Sequence, residues 1–348
     1  MKTQLFVGVL LINVSISLPA SAAILTATST TIGSVFVNAQ DGDTIKLQGS
    51  FGSFALQNRT FGTRLTIDAS AATISDTLTI KNVNNLYITG GKFGSTTNAM
   101  RAGRSIAVYN GSNITIIKAV VANNGNDMGI TFAGTIRPTV TAVAFSGNRL
   151  GIGVTSVTDA KISSNTFTKM SSDGINVVDS QRVLVTANKC SGTVPAALAH
   201  PDCVQLWSLA GKPMQSDITI TNNIVTGATQ GLTSFDPSTA SGTRITISGN
   251  DIFTSYSQGI ACYGCFDSVF SNNTLRTMAG AQWRTSMNII GGSNNVISNN
   301  TVAALGSLSG TLAGSDTDTP IDPDANNEPN WLDTSQFTEA VPDLLMED

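Results

Sequence analysis

From about residue 113 onward the chain alternates apolar and polar positions with a period of two, in runs of only three to five residues. Ile114-Thr115-Ile116, Ile218-Thr219-Ile220 and Ile245-Thr246-Ile247 read as short β-strands with one face inward and one outward. Each run closes on asparagine, at Asn124, Asn148, Asn165, Asn188, Asn223, Asn250, Asn273 and Asn300, a step averaging about 25 residues. A second strand segment precedes each of these, at residues 129–132, 151–154, 174–177, 203–206, 231–234 and 259–262. A unit this small cannot bury its own apolar face and must stack on its neighbours. The predicted fold is therefore all-β, a single-stranded parallel β-helix of about ten coils, with the recurring asparagines bonded to their equivalents above and below.

The two ends depart from this pattern. Residues 1–22 read as a signal peptide: Met1-Lys2 is a basic start, Leu5 to Leu18 is apolar, and Ala20-Ser21-Ala22 is a small-x-small site with cleavage expected after Ala22. Asn13, Ser15 and Ser17 interrupt a run already too short to span a bilayer, so no membrane association is expected after cleavage. The mature protein is expected to be secreted or periplasmic, as a monomer. Four cysteines suit that compartment, with Cys190–Cys203 and Cys262–Cys265 as candidate pairs.

Residues 23–305 form the predicted β-helix domain, and residues 306–348 an irregular acidic tail. From Asp316 to the end there are ten acids and no Lys or Arg, including all three Glu of the chain. A body so poor in Glu argues against helices. Without the tail, 13 acids face 19 bases, a body of about +6 that favours an anionic partner. Trp331, Phe337, Leu344 and Leu345 are placed to cap the open end. Asp316, Asp318, Asp322 and Asp324 have oxygen ligands but no calcium-loop spacing, which favours a solvated linker. No nucleotide-binding loop or nucleic-acid motif is present, and no nucleic-acid partner is expected.

The opening segment Ala39-Gln40-Asp41-Gly42-Asp43-Thr44-Ile45-Lys46-Leu47, followed by Gly49, Phe51 and Gly52, together with the repeats, resembles the right-handed parallel β-helix proteins of the pectate-lyase-like superfamily. The resemblance covers residues 25–305 and points toward secreted polysaccharide lyases and alginate-type C5-epimerases. It implies a right-handed helix and an anionic polysaccharide substrate. The string His200-Pro201-Asp202 resembles the His/Asp segment of those enzymes but lacks their leading Asp-Pro-His-Asp order.

Aligning the repeats puts Ile130, Ile152, Ile175, Val204, Leu232, Ile260 and Met287 at one inward register. The residues one and three places on from each inward position then point outward, in columns roughly 4.8 Å apart. One column holds Asn176 and Gln205; another holds Trp207, Phe235 and Tyr263, a platform for sugar rings with polar neighbours for the hydroxyls. The only histidine, His200, lies beside this platform, with Asp173 and Asp202 on adjacent coils and Arg284 three coils on. Two carboxylates so close raise one pKa or recruit a cation, so Asp173 and Asp202 are the candidate metal ligands and calcium the one cofactor to expect. The catalytic candidates are His200, Asp202 and Arg284; Asp173, Asn176, Gln205, Trp207, Phe235 and Tyr263 are the binding candidates. His200 would act as a neutral base and Arg284 as a charge stabiliser. The expected activity is β-elimination of a uronate-containing polysaccharide. The alternatives are a C5-epimerase or glycoside hydrolase on the same polymer class, or a non-catalytic carbohydrate-binding β-helix.

Overall fold

The computed structural model describes residues 22–100, 103–197, 199–209, 211–235, 242–308, 311–312 and 317–318. All but the last residue of the expected signal peptide, and nearly all of the acidic tail with its proposed cap, lie outside the described residues.

The chain winds into a right-handed parallel β-helix of about eleven turns. Near the N-terminus the strands Phe54–Ile74 and Leu78–Thr89 are long, and from Arg104 onward each coil supplies three or four short strands; inner strands pair in parallel with their equivalents one coil above and below. The leading strands include Met128–Ala133, Ile152–Thr155, Ile175–Val178, Asp202–Trp207, Gln230–Phe235, Gln258–Tyr263 and Ser286–Ile290. Their register aligns Ile130, Ile152, Ile175, Val204, Leu232, Ile260 and Met287 in one file, as the sequence repeats predict. All seven are fully buried. Phe145 and Phe167 stack on adjacent coils with centroids 4.9 Å apart, filling the same interior. At the N-terminal end the helix Ile32–Asn38 buries Ile32 and Phe36 against the first coils, with Phe36 edge-on to Phe61.

The asparagine ladder is real but occupies one turn, and its membership differs from the sequence count. Asn165, Asn188, Asn223, Asn250, Asn273 and Asn300 are buried in the turn between the second and third strands. Each of the first five donates its side-chain amide to the next one's Oδ1, at 2.9–3.0 Å. Asn148 belongs to the other turn, after the third strand Ala144–Ser146, where it accepts from Asn123. The 17-residue step between Asn148 and Asn165 therefore joined two different turns. Asn123, rather than Asn124, is the buried member of its pair. Spacing alone could not separate the turns, because both contain asparagine beside a short strand.

The β-helix also runs past residue 305. Ala304–Leu308 pairs with Ser286–Ile290, Val296–Ser298 pairs with Thr311–Leu312, and Thr301 pairs with Thr317. The domain boundary thus moves outward, because pairing continues after the apolar alternation has weakened. Both disulfides form, with Cα–Cα distances of 5.8 Å for Cys190–Cys203 and 5.9 Å for Cys262–Cys265.

On the exposed turn before the second strand, side chains of successive coils pair along the axis. Arg182 meets Asp159 and Arg244 meets Asp217, both at 2.6 Å. Part of the body's positive charge is therefore spent within this edge.

Candidate functional site

The strand Asp202–Trp207 is flanked by the two longest insertions of this region, residues 192–201 before it and 208–215 after it. Its outer face is less open than strand alternation implies. Asn176, Thr233 and Ala261 are buried, as are Thr155 and Val178; Gln205, Trp207 and Tyr263 are half-buried. The aromatic platform is thus the half-covered wall of a polar recess. Phe235 continues the file through its backbone pairing with Tyr263, and its side chain lies outside the described residues.

Local backbone geometry turns Asp173 and Asp202 outward. A Cβ built on Gly174 would sit 2.6 Å from the Cys203 carbonyl oxygen and 3.1 Å from Cys190 Sγ, so the position points into the core and admits only glycine. Ile175 also points inward, and the bend between the two leaves Asp173 and Asn176 both on the outer face. Cys203 takes the same place one coil on, where the Cys190 disulfide fills the interior, and Asp202 and Gln205 face outward beside it.

The two carboxyl groups then meet. Asp202 donates its main-chain N–H to Asp173 Oδ1 at 2.9 Å, and Thr233 Oγ1 donates to Asp202 Oδ1 at 2.7 Å. His200 Nδ1 stands 3.5 Å from Asp202 Oδ2. Asp202 is 1% exposed and Asp173 8%. Burial, then the charge of Asp202, pushes Asp173 up to about 7. Burial also raises Asp202, against the lowering effect of His200. The Asp202 side chain, with a smaller contribution from Asp173, pushes His200 up to about 9. Raised in this way, His200 favours its protonated form at neutral pH, whereas the expected neutral-base role needs the unprotonated one. The group poised near neutrality is Asp173.

Asn176 Oδ1 and Gln230 Oε1 accept no hydrogen bond within the protein, and Asp202 Oδ2 faces His200 Nδ1 at 3.5 Å. All three residues are more than nine-tenths buried, and Gln230 pairs directly with Asp202 on the next coil. Buried acceptors of this kind cost free energy unless a donor or cation meets them. The recess is thus built to receive hydroxyl groups or a hard cation.

Two residues enter that the sequence reading did not rank. Thr233 orients Asp202, and the phenol of Tyr256, raised first by burial and then by the charge of Asp202, lies within its field. Thr233 was legible as the residue after register zero on the next coil; Tyr256 sits in a turn with no repeat signature. Tyr263 donates to Gln258 Oε1 at 3.4 Å. Arg284 stands two residues before the strand Ser286–Ile290, three coils beyond Asp202, and the structure does not bring it into the carboxyl cluster. Among the described residues no three His, Cys, Asp or Glu side chains converge in metal-ligating geometry.

Residues 150–317 match the family model described as a right handed beta helix region, and residues 27–200, half of the chain, match that of the periplasmic copper-binding protein NosD. No curated protein matches the chain significantly. Among solved structures, an alginate lyase from Paenibacillus sp. str. FPU-7 is 15% identical, with 85% of this chain and 99% of that chain covered and a TM-score of 0.57. A mannuronic acid specific polysaccharide family 6 lyase from human gut microbiota is 14% identical over 86% and 78%, with a TM-score of 0.54. A DFA-IIIase from Arthrobacter chlorophenolicus A6, in complex with GF2, is 11% identical over 83% and 88%, with a TM-score of 0.52. At these identities the likeness is one of fold.

Proposed function

We propose, for a chain that belongs to the right-handed parallel β-helix proteins of the pectate-lyase-like superfamily and through residues 27–200 to the NosD family, that it is an exported polysaccharide lyase acting on a uronate-containing polymer. The observation that carries this reading is the buried Asp173–Asp202 pair with half-buried His200 beside it and the unpaired Asn176 and Gln230 oxygens around it, on the outer face that also carries half-buried Trp207 and Tyr263. The names of the similar structures, two lyases and a DFA-IIIase, support carbohydrate chemistry of this kind.

In the proposed reaction the Asp173 carboxylate removes the proton at C5 of a uronate residue. Charge develops on the sugar carboxylate, next to the His200 imidazolium. The C4–O4 bond then breaks, and His200 protonates the departing O4. Trp207 stacks on a sugar ring, while Asn176, Gln205 and Gln230 accept its hydroxyl hydrogens. Arg284, three coils along, binds a carboxylate of a neighbouring sugar unit. The body, at about +5 once Lys2 leaves with the signal peptide, attracts the anionic chain.

The donor set around the cluster consists of oxygens and one imidazole, and all four thiols are in disulfides. Copper, which prefers nitrogen and sulfur ligands, does not fit it. A hard cation such as calcium does fit, held by Asp202, Asn176 and Gln230 with Asp173 adjoining, and when bound would neutralise the uronate carboxylate. Two disulfides support export to an oxidising compartment, secreted or periplasmic. No helix among the described residues is long and apolar enough to cross a membrane.

A hydrolytic reading is favoured by one observation: Asp173, pushed up to about 7 beside a second carboxyl, is also suited to act as the acid of a glycosidase. Incubation with alginate, pectate, glucuronan and glycosaminoglycans decides between them. A lyase generates the ultraviolet absorbance of an unsaturated uronate; new reducing ends without that absorbance assign hydrolysis instead.

A further inference from the structure

The first coil carries a charged contact that the proposed reaction does not use. The Asp43 carboxylate is 4% exposed. It accepts two main-chain N–H groups, from Ala23 on Oδ1 and from Gln40 on Oδ2, both at 2.7 Å. Ala23 immediately precedes the strand Ile24–Ala27, which pairs with Thr44–Phe51 and starts the β-helix. Its carbonyl accepts the Thr44 N–H at 2.8 Å, so Ala23 is already held in the first coil. Ala22 and Ala23 are exposed on either side of the bond between them.

The sequence expects cleavage at that bond, after Ala20-Ser21-Ala22. We propose that removal of residues 1–22 converts the Ala23 nitrogen into an α-ammonium paired with Asp43, so that maturation itself locks the first coil. An export-associated peptidase supplies the step. Water adds across the Ala22–Ala23 peptide bond; the Ala22 carbonyl keeps the hydroxyl, and the Ala23 nitrogen takes one proton from water and another from solvent. One amide-to-carboxylate bond is thereby replaced by an ion pair in which the donor is charged as well as the acceptor, with two further N–H donors. The location matters because terminal coils are where a stacked structure opens first. In the precursor, Asp43 holds the first coil through neutral amides; in the mature chain it holds it through an ion pair. This inference is independent of the reaction assigned to the outer face.

The test begins with N-terminal sequencing and intact mass of the exported full chain, which should start at Ala23. Hydrogen exchange across residues 23–47 is then compared in the Ala23-start protein, in a form retaining Ala22, and in each of these carrying Asp43→Asn. Retaining Ala22 keeps the hydrogen bond from Ala23 as an amide but moves the charge one residue away from Asp43, and should speed exchange about tenfold. Asp43→Asn should do the same in the Ala23-start protein and add little to the form retaining Ala22, because both changes remove one pair. A mature start elsewhere, equal exchange with and without Ala22, or effects that add in full would each overturn the proposal. If Asp43→Asn prevents the first coil from forming, the comparison of the two N-termini still decides it.

Discussion

Asp202 donates its main-chain N–H to the Asp173 carboxylate across one coil spacing, at 2.9 Å, so the strand that carries one acid positions the other. The pair is therefore as rigid as the parallel ladder beneath it. Asp202→Asn keeps an acceptor for Thr233 but removes the charge that holds His200 protonated. Turnover should fall by about 10²-fold or more. The His200 resonances followed by NMR should titrate lower than in the parent. A His200 titration unchanged in Asp202→Asn would disconnect the two.

The pH profile follows from the directions of the shifts. Asp173 must be ionised to act as base, so activity rises through about pH 7. His200 must be protonated to act as acid, so activity falls through about pH 9. The expected profile is a bell with its plateau between these values, each limb belonging to the coupled cluster as a whole. The His200 contribution to stability should follow the alkaline limb. The folded pKa of His200 is raised above its ordinary value, so its contribution is complete below about 6.5 and lost as the pH rises through about 9. A profile with its maximum near pH 5 would exclude these assignments.

The asparagine ladder should be the costliest place to cut the scaffold. Asn223 Oδ1 accepts both the main-chain and side-chain N–H of Asn188, and its own amide reaches Val185, Thr221 and Asn250. Asn223→Leu strands several buried groups at about 1–3 kcal/mol each, so a loss of at least about 3 kcal/mol is expected in urea unfolding. Replacing Arg182 of the exposed pair with Asp159 is the control, and should move the midpoint little.

The Cys190–Cys203 bridge joins the strand Lys189–Ser191 to the strand that carries Asp202, across the base of the 192–201 insertion. It closes a short loop, and its removal by paired Cys→Ser substitution should cost about 3 kcal/mol. Because Cys203 adjoins Asp202 and backs Gly174, activity should be lost at lower temperature than the bulk of the fold. Parallel loss of both would mean that the bridge serves only the scaffold.

The repeat spacing determined the architecture and even the register of the leading strands, because a parallel stack converts sequence period directly into spatial neighbourhood. The adjacency of Asp173 and Asp202 on neighbouring coils followed from that arithmetic, and so did the reach of Cys190 to Cys203. Three things were decided only by the tertiary structure. Which turn each asparagine occupies depends on strand pairing, and Asn148 and Asn165 fall in different turns despite the same local pattern. The charge on His200 depends on Asp202 being buried beside it, a fact of burial that no spacing encodes. The openness of the outer face depends on what covers it: alternation marks Asn176, Thr233 and Val178 as outward, and outward here means buried in a recess. Period two says which way a side chain points; only packing says whether water is there.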